Sequence, residues 1–359
     1  MKIDIKKMAG NINKDQLKYL MNLNQPEKLK KFYQEAYRLR TSILNEEIYL
    51  RGIIEFSNLC NKNCYYCGIR KSNQKINRFK MKKEEILESA AWIYKNNYAS
   101  IVLQSGERDD PKFTDFVSDL IKEIKNLSNG QLGITLSLGE QDKKTYQKWF
   151  DLGAHRYLLR IESSNKKLYE SIHPPDHSFA KRLNCLKELK KIGYQVGTGV
   201  MIGLPGQTID NLVNDLLFFK KIDVDMIGMG PYVIHNQTPM AKKIKNRKKL
   251  KSKNFNLALK MIASLRTLMP DINIASTTAL DALNQNGKKM GLKAGANIIM
   301  PVITHPNYRK DYQLYENKEK IGVSTRNEFK KINLSKELNT KIGYNKWGDS
   351  LHYFKRQYR

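Results

Sequence analysis

The segment "LRGIIEFSNLCNKNCYYCG", residues 50–68, joins an apolar run to a tight group of cysteines. Its first nine residues are mostly apolar and short of turn formers, which is typical of a buried strand. The following residues carry Cys60, Cys64 and Cys67, in a chain of 359 residues that contains only four cysteines. We therefore expect a strand that is followed at once by a loop presenting three thiols.

Seven further β-like runs follow the first, and most of them precede a stretch with the apolar period of a helix. The eight runs are residues 50–58, 99–106, 132–139, 156–163, 195–204, 225–233, 272–280 and 296–303. Eight βα units predict a closed parallel (β/α)8 TIM barrel, and a doubly wound open sheet is the alternative. Because barrel chemistry lies at the carboxyl ends of the strands, the cysteine loop is expected on the active face.

The barrel is predicted to have a flanking segment at each end of the chain. Residues 1–48 are expected to form an N-terminal helical cap, with two helices between residues 14 and 45 that are broken near Asn24-Gln25-Pro26. Residues 49–303 form the barrel, and residues 304–359 form a C-terminal extension that closes it. Within the barrel, Thr208 is the predicted N-cap of the helix in "TIDNLVNDLLFFKKI".

Composition excludes several classes of protein. Hydrophobic residues make up 40% of the chain, which can fill a sizeable core, but no run approaches the 18 or so apolar residues of a membrane span. The start, "MKIDIKKMAGNINKDQ", lacks the apolar region of a signal peptide. Four cysteines, three of them clustered, do not make a disulfide framework. We expect a cytoplasmic protein whose reduced thiols can bind a metal.

The formal net charge is +29, and the densest basic run is "KKIKNRKKLKSK", residues 242–253, where eight of twelve residues are Lys or Arg. Three interpretations apply: a solvated surface, a docking site for an acidic protein partner, or a nucleic-acid site. Nucleic acid is the least expected, because no aromatic side chains for base stacking are interleaved with the charges.

Cysteines at i, i+4 and i+7 can wrap one face of a cubane iron–sulfur cluster. Three ligands leave one iron with an open site, which is typical of a cluster that binds a substrate. Structural zinc needs four closed ligands, and the fourth cysteine, Cys185, lies far along the chain within an apolar helical stripe. A zinc site and unrelated free thiols are the alternatives to an open-site cluster.

The C-x3-C-x2-C motif after the first strand of a βα barrel resembles that of radical S-adenosylmethionine (SAM) enzymes, and Tyr66 beside the last cysteine fits this resemblance. In that superfamily, SAM chelates the open iron, and one electron from the cluster cleaves a carbon–sulfur bond to give a 5′-deoxyadenosyl radical. The resemblance implies one [4Fe–4S] cluster and SAM as cofactors. Gly106-Glu107 resembles the superfamily's GGE segment, which binds the SAM amino group, with Ser105 in place of the first glycine.

Polar residues on later strands are predicted to face the barrel interior. Strand alternation puts Thr135 and Ser137 inside on the third strand, and Arg156, Arg160 and Glu162 inside on the fourth. Inward charges are costly unless they are paired or bound to a ligand. One interpretation is an internal salt-bridge network. The other is that Glu162 holds SAM and that Arg156, as a catalytic residue, holds a substrate carboxylate.

Arg182 is expected near the start of the helix after Ser178, where it can pair with the SAM carboxylate. Met201 shares a strand face with glycines that leave room for a ligand. Substrate candidates follow the seventh and eighth strands: Thr277, Thr278, Tyr308 and Arg309.

A closer resemblance covers residues 45 to 316, in the segments "RGIIEFSNLCNKNCYYCGIR", "IVLQSGE", "TLSLGE", "RYLLRIESSN" and "GYQVGTGVMIGLPGQTIDNLVNDL". These segments are similar to HydE, the radical SAM maturases of [FeFe]-hydrogenase. The resemblance implies a cluster on Cys60, Cys64 and Cys67. It implies SAM contacts at Ser137, Glu162, Arg182 and Met201, and a substrate chamber near Gln104, Thr135, Arg156, Thr277, Thr278 and Tyr308.

The same resemblance implies an activity and partners. The substrate is an Fe(CO)2(CN)–cysteine species made by HydG, the scaffold HydF is the acceptor, and an external carrier of ferredoxin or flavodoxin type supplies the electron. Some relatives carry a second cluster on C-terminal cysteines, which this chain lacks after Cys185, so none is expected. The alternatives are a radical SAM mutase acting on a free amino acid, as methylornithine synthase does, and a basic RNA-binding protein with a structural metal loop.

Overall fold

The computed structural model describes residues 4–316, 318, 335–336 and 340–358. The helices are α1 (Ile5–Met8), α2 (Lys14–Met21), α3 (Pro26–Leu44), α4 (Lys83–Lys95), α5 (Pro111–Leu127), α6 (Lys143–Asp151), α7 (Lys166–Ile172), α8 (Phe179–Ile192), α9 (Ile209–Ile222), α10 (Arg247–Leu268), α11 (Thr278–Leu283), α12 (Gly287–Lys293), α13 (Pro306–Arg309) and α14 (Leu351–Gln357). The strands are β1 (Glu47–Leu50), β2 (Gly52–Ser57), β3 (Ser100–Ser105), β4 (Gly133–Ser137), β5 (Arg156–Leu158), β6 (Gln195–Thr198), β7 (Met201–Ile202), β8 (Met226–Ile227), β9 (Gly230–Pro231), β10 (Asn273–Ser276), β11 (Ile298–Ile299) and β12 (Lys341–Ile342).

The strands form a parallel barrel. The order in the main sheet is β12-β1-β11-β10-β8-β6-β5-β4-β3-β2, and β1 and β2 are successive parts of one strand. The barrel closes where Ile53 pairs with Val302 and the Ile53 amide donates to the Pro301 carbonyl at 2.8 Å. All eight predicted runs contain a strand, so the barrel prediction is confirmed and the open-sheet alternative is wrong.

Helix starts follow the predicted capping chemistry. The Thr208 hydroxyl accepts from the Asn211 amide at 3.2 Å, and the Ser178 hydroxyl accepts from the Lys181 amide at 3.1 Å. Each bond satisfies one of the free amides of a first helical turn, which fixes where α9 and α8 begin. Both helices begin just beyond carboxyl ends of strands, so their first turns lie on the predicted active side.

The N-terminal helices lie against the helical layer of the barrel. The chain breaks between α2 and α3 as expected, and Pro26 occupies the first turn of α3, where its missing amide costs nothing. Helices α2 and α3 pack against α9, α10 and α12. Among the described residues, the structure contains no helix that is both long and apolar enough to cross a membrane.

The C-terminal segment covers the amino end of the barrel. Arg156, whose side chain is fully buried, donates from Nε to Asp349 at 2.8 Å, from Nη1 to the Ser100 hydroxyl at 2.9 Å and from Nη2 to the Trp347 carbonyl at 2.9 Å. Burial alone would raise the pKa of Asp349, but Arg156 holds it well below its usual range. Part of the predicted extension 304–359 lies outside the described residues. Trp347 and Asp349 lie at this end of the barrel, whereas Tyr312 and Tyr315 of the same extension line the cavity at the other end.

Helix α14 is fixed beside this closure by an imidazole between two carboxylates. His352 faces Asp271 from Nδ1 at 3.0 Å and Asp223 from Nε2 at 2.8 Å. Burial lowers the pKa of His352, but the two carboxylates outweigh it and raise the pKa overall. Lys190 and Lys355 also pair with these carboxylates. Since both ring nitrogens face acceptors, the charged imidazolium is the form that satisfies this site.

We expect Asp349→Ala to lower the free energy of unfolding by about 3–5 kcal/mol, because it leaves the buried Arg156 guanidinium without its carboxylate. Urea denaturation followed by circular dichroism measures this change. The control is Lys346→Ala, which removes an exposed ion pair with Glu47 and is expected to have no measurable effect. Equal, small effects of the two substitutions would contradict the role given to Asp349.

The contribution of His352 is expected to depend on pH. Its pKa is higher in the folded chain than the usual value of about 6.5, so its stabilisation is complete below that value and is lost as pH rises through the folded pKa. Compared with wild type, His352→Gln should lose roughly 1.5–3 kcal/mol of the free energy of unfolding at about pH 6, as expected for hydrogen bonds to charged groups. The difference should shrink by about pH 9. A difference that grows with pH would contradict the imidazolium assignment.

Candidate active site

The cysteine loop is held against the carboxyl ends of β2 and β3. The Asn61 amide donates to the Glu107 carbonyl at 2.8 Å, and the Gly106 amide donates to the Ser57 carbonyl at 2.9 Å. A Cβ on Gly106 would lie 2.3 Å from the Leu59 carbonyl oxygen and 2.7 Å from the Cys60 Cβ. Only glycine therefore lets the end of β3 approach the loop this closely, which explains the glycine of the Gly-Glu pair.

A cavity of about 300 Å³ opens in the barrel in front of this loop. Its walls include twelve of the predicted site residues: Cys60, Cys64, Tyr66, Cys67, Gln104, Gly106, Glu107, Ser137, Arg182, Met201, Thr277 and Thr278. These residues come from the ends of six different strands or the segments that follow them. The fold thus brings together most of the residues that the sequence singled out.

The three thiols suit an iron–sulfur cluster as ligands. Burial is the main reason that the pKa of Cys60 is raised, that the pKa of Cys64 reaches about 12, and that the pKa of Cys67 is well above its usual range. The thiols also disfavour one another's ionisation, so bound iron would supply the positive charge that thiolates need here. No three His, Cys, Asp or Glu side chains in the described part of the chain are grouped to hold a single metal ion. A four-iron cluster does not require such convergence, because each thiolate binds a different iron.

Cys185 has a different environment. It lies on α8 with 6% of its surface exposed, and its thiol faces the Gln141 carbonyl at 3.8 Å. It packs in the hydrophobic core and does not line the cavity. The prediction that Cys185 fills the core is confirmed.

A buried charge network crosses the cavity wall beside the cysteines. Arg182 donates from Nε to Glu140 at 2.7 Å, from Nη2 to Glu107 at 3.2 Å and from Nη1 to the Arg160 carbonyl at 3.0 Å. Lys62 lies 3.3 Å from both glutamates. Burial lowers the pKa of Arg182, but Glu107 and Glu140 raise it overall, so Arg182 stays charged. Arg182 thus has a fixed position on the wall, and the prediction that it lies on the active side is confirmed.

Other residues of the cavity wall carry hydroxyl and charged groups. Gln104 donates to the Tyr312 hydroxyl at 3.1 Å, and the Thr278 and Tyr315 hydroxyls are 2.9 Å apart. Glu55 and Lys318 form a buried ion pair that also lines the cavity. Arg160 lines it as well, and its Nη2 donates to Glu162 at 2.9 Å, while its buried Nε has no partner among the described residues.

The structure does not bring Arg156 to the cavity. Its guanidinium is used at the amino end of the barrel by Asp349, Ser100 and Trp347, as described above, so its assignment as a catalytic, substrate-binding residue is wrong. The alternative of an internal salt bridge is correct for this residue. Alternation along a strand predicts which side chains face the barrel interior, but not how far along the barrel axis they lie. Arg156 is the first residue of β5, so its side chain lies at the amino end of the barrel.

Four other predicted residues do not line the main cavity: Thr135, Tyr308, Arg309 and Glu162. Thr135 lines a separate, smaller space deeper in the barrel with Arg51. The Tyr308 hydroxyl donates to Glu85 at 2.9 Å, and Tyr308 and the adjacent Arg309 do not line the cavity. The prediction that Tyr308 and Arg309 face the cavity is therefore wrong, and Tyr312 and Tyr315, four and seven residues after Tyr308, line it instead.

Glu162 lies behind the wall, bonded to Arg160, and has a positive φ of 62°. A non-glycine residue in this region is strained and persists where the surrounding structure holds it. Its amide donates to the Gly199 carbonyl at 3.0 Å, and its carbonyl accepts from Met201 at 3.0 Å. The left-handed backbone at Glu162 ends the in–out alternation of side chains along the fourth predicted run, residues 156–163. The alternation rule applied to the sequence does not anticipate this change.

Comparison with known proteins agrees with this geometry. Residues 54–219 match the Radical SAM superfamily. The [FeFe] hydrogenase maturase subunit HydE of Thermotoga maritima is 45% identical over 303 residues, covering 84% of this chain and 83% of that protein. The 3-methylornithine synthase of Methanosarcina acetivorans is 29% identical over 298 residues, 81% of this chain and 80% of that protein.

Solved structures share the fold. The crystal structure of methylornithine synthase (PylB) superimposes with a TM-score of 0.80 at 24% identity, covering 95% of this chain and 97% of that one. The structure of HydG from Carboxydothermus hydrogenoformans gives a TM-score of 0.76 at 20% identity, covering 93% of this chain and 76% of that one.

A barrel with three loop thiols at the carboxyl ends of its strands, and a match to this superfamily, define a radical SAM enzyme. At 45% identity over most of both chains, it belongs to the HydE family of [FeFe] hydrogenase maturases. Membership of the family implies a [4Fe–4S] cluster and SAM, and it places the chain in the context of hydrogenase maturation.

We expect Cys64→Ala to abolish cluster binding, because two thiolates from one loop cannot hold a four-iron cluster. The measurement is the iron content after anaerobic reconstitution, which is expected to be about four per chain in the wild type. Cys185→Ala is the matched control and should keep the wild-type content, since its thiol lies in the core. Loss of iron in both variants, or in neither, would contradict this ligand set.

Proposed function

We propose that this enzyme acts in assembly of the catalytic cluster of [FeFe] hydrogenase by attack of a 5′-deoxyadenosyl radical on an Fe(CO)2(CN)–cysteine species. In this proposal HydG supplies the substrate, HydF accepts the product, and an external one-electron carrier of ferredoxin or flavodoxin type supplies the electron. The observation that carries it is a cavity that is lined by the three loop thiols together with cationic and hydroxyl groups.

The cofactors fit the cysteines and the cavity residues beside them. Cys60, Cys64 and Cys67 would hold one [4Fe–4S] cluster, and no second cluster is proposed. With SAM bound, the cluster supplies the electron that releases the adenosyl radical. Contacts to SAM are assigned to Tyr66, Gly106, Glu107, Ser137, Arg182 and Met201, and Glu162, which does not line the cavity, is assigned next to them through its bond to Arg160.

Arg182 is suited to bind the carboxylate of SAM in a fixed orientation. Its guanidinium is already oriented by Glu107 and Glu140, so little conformational freedom is lost on binding. Glu107 is suited to accept from an ammonium group at the same wall. Gly106 and Gly139 keep the backbone close: a Cβ on Gly139 would lie 2.0 Å from the Glu107 side chain.

The remaining polar residues of the cavity support a small, polar, anionic substrate. The guanidinium of Arg160 has a buried Nε that lacks a partner among the described residues. A buried donor without a partner favours a ligand that brings a hydrogen-bond acceptor. The hydroxyls of Thr278, Tyr312 and Tyr315 add donors that suit the nitrogen of a cyanide ligand, and Gln104 and Thr277 line the same cavity. The Glu55–Lys318 pair offers one group of each sign to an amino acid portion.

The proposal is tested by SAM cleavage with dithionite, with and without the HydG product. We expect cleavage in the wild type and stimulation by that product but not by lysine. Stimulation by lysine alone would favour the amino acid mutase, and no cleavage in any condition would overturn both enzymatic hypotheses. Methylornithine synthase shares the fold, so this substrate comparison is the decisive part.

Arg160→Gln is expected to keep substrate-free SAM cleavage close to the wild-type rate. The substrate concentration for half-maximal stimulation should rise about 10- to 100-fold, because a charge-assisted hydrogen bond of about 1.5–3 kcal/mol is lost. The control is Tyr308→Phe, which removes a hydroxyl that bonds Glu85 outside the cavity and should change neither quantity. Unchanged substrate response in Arg160→Gln would remove Arg160 from the substrate site.

A further inference from the structure

The basic run 242–253 lies on the active side of the barrel, next to the cysteine loop. It begins with the last two residues of the short 3₁₀ helix Pro239–Lys243 and continues into the first turns of α10. The Met240 amide donates to the Tyr65 carbonyl at 3.1 Å, and Tyr65 is the residue directly after Cys64. A second bond joins Asn73 to Gln237 at 2.9 Å. The segment that leads into the run is thus bonded to the cysteine loop and to the residues that follow it.

Apolar packing also joins the cysteine loop to the basic run 242–253. Tyr65, Tyr66, Met240, Ile244 and Leu250 belong to one hydrophobic cluster, with Met201 of the cavity wall. The start of α10 is fixed to the strand ends as well, since Asn254 donates to the Gly203 carbonyl at 3.2 Å and to the Tyr232 carbonyl at 3.0 Å. A protein bound to the basic run would therefore lie against the shell of the cysteine site.

The charges of this surface are exposed and unbalanced. Lys71 and Lys75 of the cysteine loop are also exposed, and we call the whole set the basic rim: Lys71, Lys75, Lys242, Lys243, Lys245, Arg247, Lys248, Lys249, Lys251 and Lys253. Among the described residues, the side-chain partner of Arg247 is the amide oxygen of Asn236, not a carboxylate. The nearby carboxylate of Glu316 accepts from the Asn236 amide at 3.0 Å.

The start of α10 places cations where the helix itself disfavours them. Helix N-termini carry a partial positive charge that acidic residues usually balance. The first turn of α10 contains no acidic residue and instead has Arg247, Lys248 and Lys249. Such an arrangement costs stability in the free chain, and an acidic surface brought against it would relieve the repulsion.

We propose that the basic rim docks the acidic surface of a small one-electron carrier protein, which delivers the electron to the cluster held by the cysteine loop. This rests on the proposed function, because only a redox site behind the rim gives the carrier a reason to bind here. The transfer balances as one electron: the carrier is oxidised by one electron and the cluster is reduced by one. Electrostatic steering would raise the association rate and make it sensitive to salt.

The test compares two triple variants of the reconstituted enzyme. Lys248→Glu/Lys249→Glu/Lys251→Glu reverses charge in the rim, and acidic residues in the first turns of α10 favour the helix. Lys122→Glu/Lys187→Glu/Lys221→Glu makes the same change on exposed sites late in α5, α8 and α9, towards the other end of the barrel. The measurements are the Kd for oxidised flavodoxin at low and high salt, and SAM cleavage driven by reduced flavodoxin or by dithionite.

The rim variant is expected to raise the Kd at least about tenfold and to slow flavodoxin-driven cleavage, while dithionite-driven cleavage and the control variant stay unchanged. Wild-type binding should weaken with salt. Equal Kd values in the two variants, or no flavodoxin binding by the wild type, would overturn the proposal. So would a single-stranded RNA oligomer whose binding is lost in the rim variant while flavodoxin binding is kept. Failure of dithionite-driven cleavage in the wild type would instead count against the proposed function.

Discussion

The site depends on the close approach of the end of β3 to the cysteine loop. Gly106 leaves no side chain between the strand and the loop, so the Glu107 amide reaches the Cys60 thiol at 3.4 Å and the Glu107 carbonyl accepts from Asn61. The same residue then extends its carboxylate to Arg182. One glycine therefore sets the position of the thiols and of the charge network beside them, and a side chain here would separate the two.

The barrel uses its polar interior differently at its two ends. At the amino end, Arg156 and Asp349 satisfy each other, which fits a buried ion pair that closes a structure. At the carboxyl end, Arg160 keeps a buried donor without a described partner, and hydroxyls line an open cavity. The ion pair at the amino end thus closes the barrel, and the polar groups at the carboxyl end line a space that can hold a ligand.

The strand count, the helix starts and the cysteine loop could be predicted because each has a local signal. Apolar runs, capping residues and C-x3-C-x2-C need no knowledge of distant contacts. The role of Arg156 could not be predicted, since its partner Asp349 is remote in sequence and joins it only after the chain has folded. The shift from Tyr308 to Tyr312 and Tyr315 has a similar cause, because α13 turns the chain before it reaches the cavity. The place of Glu55 could have been predicted, because it is a charged residue inside an apolar strand. Residues two apart on a strand face the same side, so Glu55 and Ile53 both face the barrel interior.

The central claim is that the three cysteines hold a cluster with one iron left open for SAM. Electron paramagnetic resonance of the reconstituted protein, reduced with dithionite and recorded with and without SAM, tests it most directly. The expected result is the signal of a one-electron-reduced [4Fe–4S] cluster whose g values and line shape change when SAM is added. A reduced-cluster signal that SAM leaves unchanged would mean that no iron is open to it, and would contradict the claim.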